Sequence, residues 1–161
     1  MGAQMVRSFG KTARSVLLLL LLGLGGCTAT GPVASEAKDH AAKLQAVPPD
    51  QAGLYVFRPH GFYGSAVLDE LVVDGKSRTA LGPGNYAFKL VKPGEHAIVV
   101  SCRCSRPAQM TLPTAPGKAY FVSVEGDFWR GPGDPSSKLT VVPPEEGRAA
   151  LQDLRLVDWM R

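Results

Sequence analysis

From Gln51 onward the chain is written in short period-two runs separated by glycine and proline, a pattern that favours strands over any other element. Tyr86, Phe88 and Leu90 alternate with Ala87 and Lys89, the spacing of a strand that buries one face. His96, Ile98, Val100 and Cys102 alternate in the same way with Ala97, Val99, Ser101 and Arg103. Leu54 to Phe57 is a β-rich opening run closed by Arg58-Pro59. Leu71 to Val73 runs into Asp74-Gly75, a strong hairpin signal, with Arg78 to Leu81 as the return strand. Lys92-Pro93-Gly94 presets a turn, because proline suits its second position and glycine tolerates the positive φ that follows.

Gln109 to Leu112, Ala119 to Glu125 and Lys138 to Val142 complete the strand candidates. Pro143-Pro144-Glu145-Glu146 has the form of a helix start, with acids in the first turn favouring the helix dipole. Leu151 and Leu154 are expected to face the core, before Leu156 and Val157 close the chain. About seven or eight short strands with regular turns predict an all-β fold, an antiparallel β-sandwich with one short C-terminal helix.

The start of the chain is of another kind. Arg7, Lys11 and Arg14 precede six consecutive leucines, Leu17 to Leu22, and the run closes on Leu24-Gly25-Gly26-Cys27. The apolar core from Val16 to Leu24 is too short to span a bilayer stably and right for a signal h-region. The stretch resembles a bacterial lipoprotein signal with its lipobox. That resemblance implies a signal peptide over 1–26, a diacylglycerol on the Cys27 thiol and a membrane anchor. Two or three acyl chains make such an anchor effectively permanent, where one holds only marginally. Thr28 follows the cysteine, whereas enterobacterial lipoproteins kept in the inner membrane carry aspartate there. The expected location is therefore the cell envelope, at the periplasmic face of the outer membrane.

Removing the leader changes the charge argument. Three of the 18 basic residues and none of the 14 acidic ones precede Cys27, which leaves 15 against 14. The pI of 9.1 is largely a property of the leader, so it gives no support to nucleic-acid binding. The remaining 135 residues suffice for one domain. Residues 27–51 are expected to form a lipidated cysteine and a flexible linker, and 52–158 the sandwich. A short helix over Ala37 to Val47, with Ala41, Leu44 and Val47 partly on one side, is the other reading of the linker. As a random coil its roughly 24 residues would reach about 25–30 Å, enough for the domain to stand clear of the headgroups.

The order Leu54-Tyr55-Val56-Phe57-Arg58-Pro59, Val73-Asp74-Gly75, Pro93-Gly94-Glu95-His96 and Gly117-Lys118-Ala119-Tyr120-Phe121-Val122 resembles domain of unknown function 2846. That is a family of small bacterial proteins, often lipoproteins. The hairpin and the Pro-Gly-Glu-His turn alone are shared with PEGA-type surface β-domains. The full order together with the lipobox is more specific, and it spans roughly Ala52 to Leu156. The resemblance implies a compact β-sandwich and no assigned chemistry.

Candidate chemistry is sparse. Cys102 and Cys104 are the thiols left once Cys27 is lipidated, and an oxidising compartment favours a disulfide. In an extended strand their Cα atoms would stand about 6.6–6.8 Å apart, at the upper edge of disulfide geometry, so the bridge needs a bulge or turn. Unpaired, partly buried thiols are the other reading, and a strained Cys-X-Cys pair would be a redox candidate. Two thiolates do not satisfy zinc, which wants four ligands, and His96 lies roughly 20 Å along the strand from Cys102. His96 is expected to cap the sheet or meet solvent. His60 and Ser65 lie in one loop, but Gly-X-Ser-X-Gly between a strand and a helix is absent there. No glycine-rich loop opens a helix after a strand, which leaves phosphate binding without support.

Phe62-Tyr63 and Phe128-Trp129-Arg130 sit in two Gly/Pro-rich loops, where turns do not require large aromatics. They either fold over the open ends of the sandwich or stand exposed as a partner surface, since aromatics and arginine anchor interfaces. The reading is a lipid-anchored, non-enzymatic envelope protein with no cofactor beyond the lipid on Cys27. It meets the membrane through that anchor and a protein partner of the envelope through its domain. The rival readings are a small-ligand or redox-sensing lipoprotein using Cys102 and Cys104 and, further off, a cell-envelope hydrolase.

Overall fold

The computed structural model describes residues 31–61, 67–102, 106–127 and 136–160. Its elements are α1 (Glu36–Lys43), β1 (Ala52–Arg58), β2 (Asp69–Val73), β3 (Ser77–Leu81), β4 (Asn85–Val91), β5 (Gly94–Ser101), β6 (Ala108–Thr114), β7 (Ala119–Asp127), β8 (Ser136–Val142), α2 (Pro144–Leu151) and β9 (Arg155–Leu156). One sheet has the order β8-β7-β1-β4-β9 and the other β3-β2-β5-β6. The sandwich is thus mostly β, with two short helices.

Pairing is antiparallel except at two places, where β1 runs parallel to β7 and β4 parallel to β9. Parallel neighbours need a long crossover. Between β1 and β7 the chain builds β4 and the whole second sheet before returning. The Asp74-Gly75 hairpin forms as expected, with φ of 54° and 66° at the two residues, the left-handed pair that a type I′ turn demands. Pro113 lies in β6, an edge strand where a missing N–H costs no ladder bond.

Strand alternation sorts side chains into two cores. Leu54, Val56, Ala87, Val122 and Val124 meet Leu71, Val73, Leu81, Ile98, Val100 and Leu112 between the sheets. On the opposite face of the five-stranded sheet, Tyr55, Phe57, Tyr86 and Phe121 are covered by Ala42 of α1 and by Leu151 and Leu154 at α2. All seven residues of β1 are consequently buried. Each fully buried large apolar side chain contributes about 1.5–3 kcal/mol. The result is three layers, sheet on sheet with helices on one outer face.

Of the flexible linker expected over 27–51, the described part does not hang free. From residue 31 the chain is docked. Ala34 N–H donates to the Leu156 carbonyl at 2.9 Å, and Val33 bridges Val157. Ser35 then caps α1, its Oγ accepting from Lys38 N–H. The helix was hard to see because it buries a carboxylate and a methyl group, Asp39 and Ala42, while Leu44 stays 71% exposed. The domain also runs past 158, for Trp159 Nε1 donates to the Phe88 carbonyl at 2.8 Å.

Three connections leave the same end of the sandwich. The register Glu70 to Ser101, Val100 to Ala108 and Asp127 to Ser136 places the flanking strand ends together. Arg58 and Asp69 tie the two sheets there through a buried ion pair at 2.9 Å. Burial pushes the Asp69 carboxyl upward against the pull of the Arg58 guanidinium.

Candidate functional site

Aromatics lie on one face of three adjacent strands, and α1 and α2 do not close over all of them. Tyr55 of β1 is stacked between Phe88 of β4 and Phe121 of β7, with ring centroids 4.5 and 4.8 Å away. Its hydroxyl donates to the Ala42 carbonyl at 2.9 Å. Burial pushes the Tyr55 hydroxyl up to about 12, with Arg148 pulling the other way. Near neutral pH it therefore stays protonated and committed to the helix backbone.

Beside this stack lies a cleft of about 390 Å³, within the size range of small-molecule sites. Tyr55, Ala119 and Phe121 line its floor, the segment from Lys43 to Val47 forms one wall, and Arg148, Leu151 and Gln152 form the other. Its two cations are held differently. Lys43 Nζ bonds Asp39 Oδ2 at 3.0 Å and the Leu154 carbonyl at 2.8 Å, and so clamps α1 to the end of α2. Arg148 stands 5.8 Å from the Phe121 ring centroid. Among the described residues no carboxylate lies within ion-pair distance of it.

Asp39 is the keystone of the α1 wall. Its Oδ1 accepts the Leu156 N–H at 2.8 Å, and its backbone carbonyl accepts the Tyr86 hydroxyl at 3.1 Å. Burial alone would raise this carboxyl. The Lys43 ammonium, the Leu156 N–H and the Tyr86 hydroxyl outweigh burial and hold it below the usual carboxylate range.

Sequence reasoning missed this cleft. Its signal was present in Tyr55 and Phe57 of β1, Tyr86 and Phe88 of β4 and Phe121 of β7, where β1 and β4 each carry two aromatics at alternate positions. The walls were lost with the helix in the supposed linker.

The residues singled out from sequence are distributed as follows. Cys27, Cys104, Phe62, Tyr63, Phe128, Trp129 and Arg130 lie outside the described residues. Cys102, just past β5, is disulfide-bonded. His96 is buried rather than meeting solvent, with Nδ1 2.8 Å from Asp74 Oδ2 and Nε2 2.7 Å from the Lys92 carbonyl. It braces two turns. His60 packs on Gly84 and bonds the Asp153 carbonyl at 3.0 Å. Among the described residues no three His, Cys, Asp or Glu side chains are grouped to hold a metal ion.

A family model described as "Protein of unknown function (DUF2846)" matches residues 48–130, just over half of the chain. The chain belongs to this family. The match spans β1 to β7, so the α1 and α2 walls of the cleft stand outside it. This DUF2846 member is also similar to an uncharacterized protein of Haemophilus influenzae. The two are 31% identical over 145 residues, covering 89% of this chain and 83% of the relative.

Proposed function

We propose that this DUF2846 member is a lipid-anchored protein of the bacterial envelope whose sandwich acts as a non-enzymatic binding module. In this reading Cys27 carries the lipid, and the domain works at the periplasmic face of the outer membrane. The cleft beside Arg148 is its ligand site.

The observation that carries the binding reading is the make-up of that cleft. An aromatic floor meets a guanidinium with no described carboxylate at its side, which suits a ligand or partner segment with an anionic end and an apolar body. A protonated Tyr55 hydroxyl already bonded to Ala42 offers a surface rather than a proton-transfer group. Phe62, Tyr63, Phe128, Trp129 and Arg130, which lie outside the described residues, supply further candidate contacts with an envelope partner.

Two experiments test this. Metabolic labelling with an alkyne fatty acid should mark the protein and fail with Cys27→Ala, because the thiol is the acceptor. Equal labelling of that variant would contradict the anchor. Photocrosslinking in intact cells from Gln45, Tyr63 and Trp129 should give a discrete adduct from at least one site. Efficient photolysis with no adduct at any of them contradicts a binding module.

A second reading draws on the disulfide at Cys102. A redox sensor would take two electrons and two protons from an envelope dithiol and release two thiols. Thiol titration at graded dithiothreitol potentials decides it: release only under strongly reducing conditions marks a structural bridge.

A further inference from the structure

The docking of residues 31–34 changes what the anchor does to the domain. Gly31 is buried, and its N–H donates to Asn85 Oδ1 at 3.0 Å. A side chain there would stand 2.0 Å from the Ala80 carbonyl oxygen and 2.9 Å from Val157 Cγ1. The chain thus passes into the fold through a slot, between β3 and the segment after β9, that only glycine fits. Asp158 N–H donates to the Pro32 carbonyl at 2.8 Å, which fixes this path on both sides. Four peptide units separate Cys27 from Gly31. Whatever their conformation, they span at most about 14 Å.

We propose that the domain rests directly on the phospholipid headgroups through the edge around Gly31, instead of standing off on a long tether. This rests on the reading of Cys27 as lipidated. An acylated Cys27 has its backbone at the headgroup level, and the headgroup region of one leaflet is roughly 5–8 Å deep. Part of the 14 Å is used in climbing out of the slot, so the rim of that slot meets the bilayer surface.

The surface of that edge fits the role. Val33 and Met160, two of the large apolar residues the fold leaves exposed, are 42% and 54% accessible there. Arg78, whose carbonyl accepts the Met160 N–H at 2.8 Å, and Lys38 hold only solvent-exposed partners, Glu70 and Asp158. Exposed pairs of this kind contribute little, so both cations are free to turn to lipid phosphates at small cost. Next to Met160 in sequence, the half-buried Trp159 has the Lys89 ammonium 5.4 Å from its ring centroid. Amphipathic groups of this mixture favour the membrane interface.

The test uses the full chain in bacterial membranes, with a benzophenone amino acid replacing Val33, Met160 or, as a control, Val141. Val141 is 45% exposed on β8 at the opposite edge of the same sheet. Phospholipid adducts, seen as mass additions after irradiation, are expected from positions 33 and 160 and not from 141. An acylated protein that gives no lipid adduct from 33 and 160, or equal adducts from all three positions, overturns the proposal and leaves the anchor standing. A protein that takes up no acyl label overturns both.

Discussion

The Asp39 carboxylate accepts the backbone N–H of Leu156 at 2.8 Å across 117 positions of sequence. That single bond joins the segment expected to be a free linker to the last strand of the sheet. Asp39 also holds Lys43, which in turn bonds the Leu154 carbonyl. Removing the carboxylate leaves a half-buried ammonium and a buried N–H without this partner. Asp39→Ala should therefore cost about 2–3 kcal/mol, read as a lower urea midpoint at unchanged m value. A midpoint equal to that of the parent protein would contradict the docked helix.

The same residue sets an acid dependence. The folded Asp39 carboxyl lies below its ordinary value, held there against burial by the Lys43 ammonium and the Leu156 N–H, and an unfolded aspartate titrates near about 3.9. The folded state therefore binds the proton more weakly. Its contribution is complete above the unfolded value and is lost as pH falls through the folded one. Asp69 acts in the opposite sense, since its raised carboxyl favours the folded state most at low pH and loses that contribution as pH rises. Denaturant midpoints from pH 6 to 2.5 should show a shallower acid loss in Asp39→Asn than in the parent.

Gly147 lets α2 lie on the aromatic layer, for a side chain there would stand 2.2 Å from Phe121 Cγ. Alanine is the better helix former by about 1 kcal/mol. Contact with the ring should nevertheless win, at a net cost of about 1–3 kcal/mol from overpacking. Thermal denaturation of Gly147→Ala reads this directly, and a raised Tm would show that the helix has room to shift.

Arg58 and Asp69 are 6% and 7% exposed at their side chains. Asp69→Ala removes the carboxylate from the buried Arg58 guanidinium, which keeps its bond to the Val67 carbonyl at 2.8 Å, and breaking such a pair costs up to about 3–5 kcal/mol. Urea unfolding of the variant checks the figure. A loss under about 1 kcal/mol would contradict a stabilising role for this pair.

The strands were legible because each is bounded by chemistry local to it. Val73-Asp74-Gly75 announced its turn, and Tyr86-Ala87-Phe88 its alternation. The helix after Pro143 was legible from its proline and acids. Which strands pair is not a local property, so the parallel contact of β1 with β7 could not be read from the runs themselves. Helix α1 offered only a partial apolar side in Ala41, Leu44 and Val47, whereas the residues it buries are Asp39 and Ala42, and a buried carboxylate looks like a surface residue in sequence. The cleft needs that helix as a wall, so it stayed hidden although every aromatic on its floor was in view.

Arg148 bears most directly on the central claim. Its replacement by glutamine removes the charge at an exposed position of α2 and should leave folding nearly unchanged. The measurement is photocrosslinking in intact cells from Gln45, on the wall facing Arg148, in the parent chain and in Arg148→Gln. Losing one charge-assisted bond of about 1.5 kcal/mol should lower the yield of a discrete adduct about tenfold when binding is unsaturated. No adduct from the parent chain, or an adduct of equal yield in the two proteins, would contradict the cleft as the place where this domain binds.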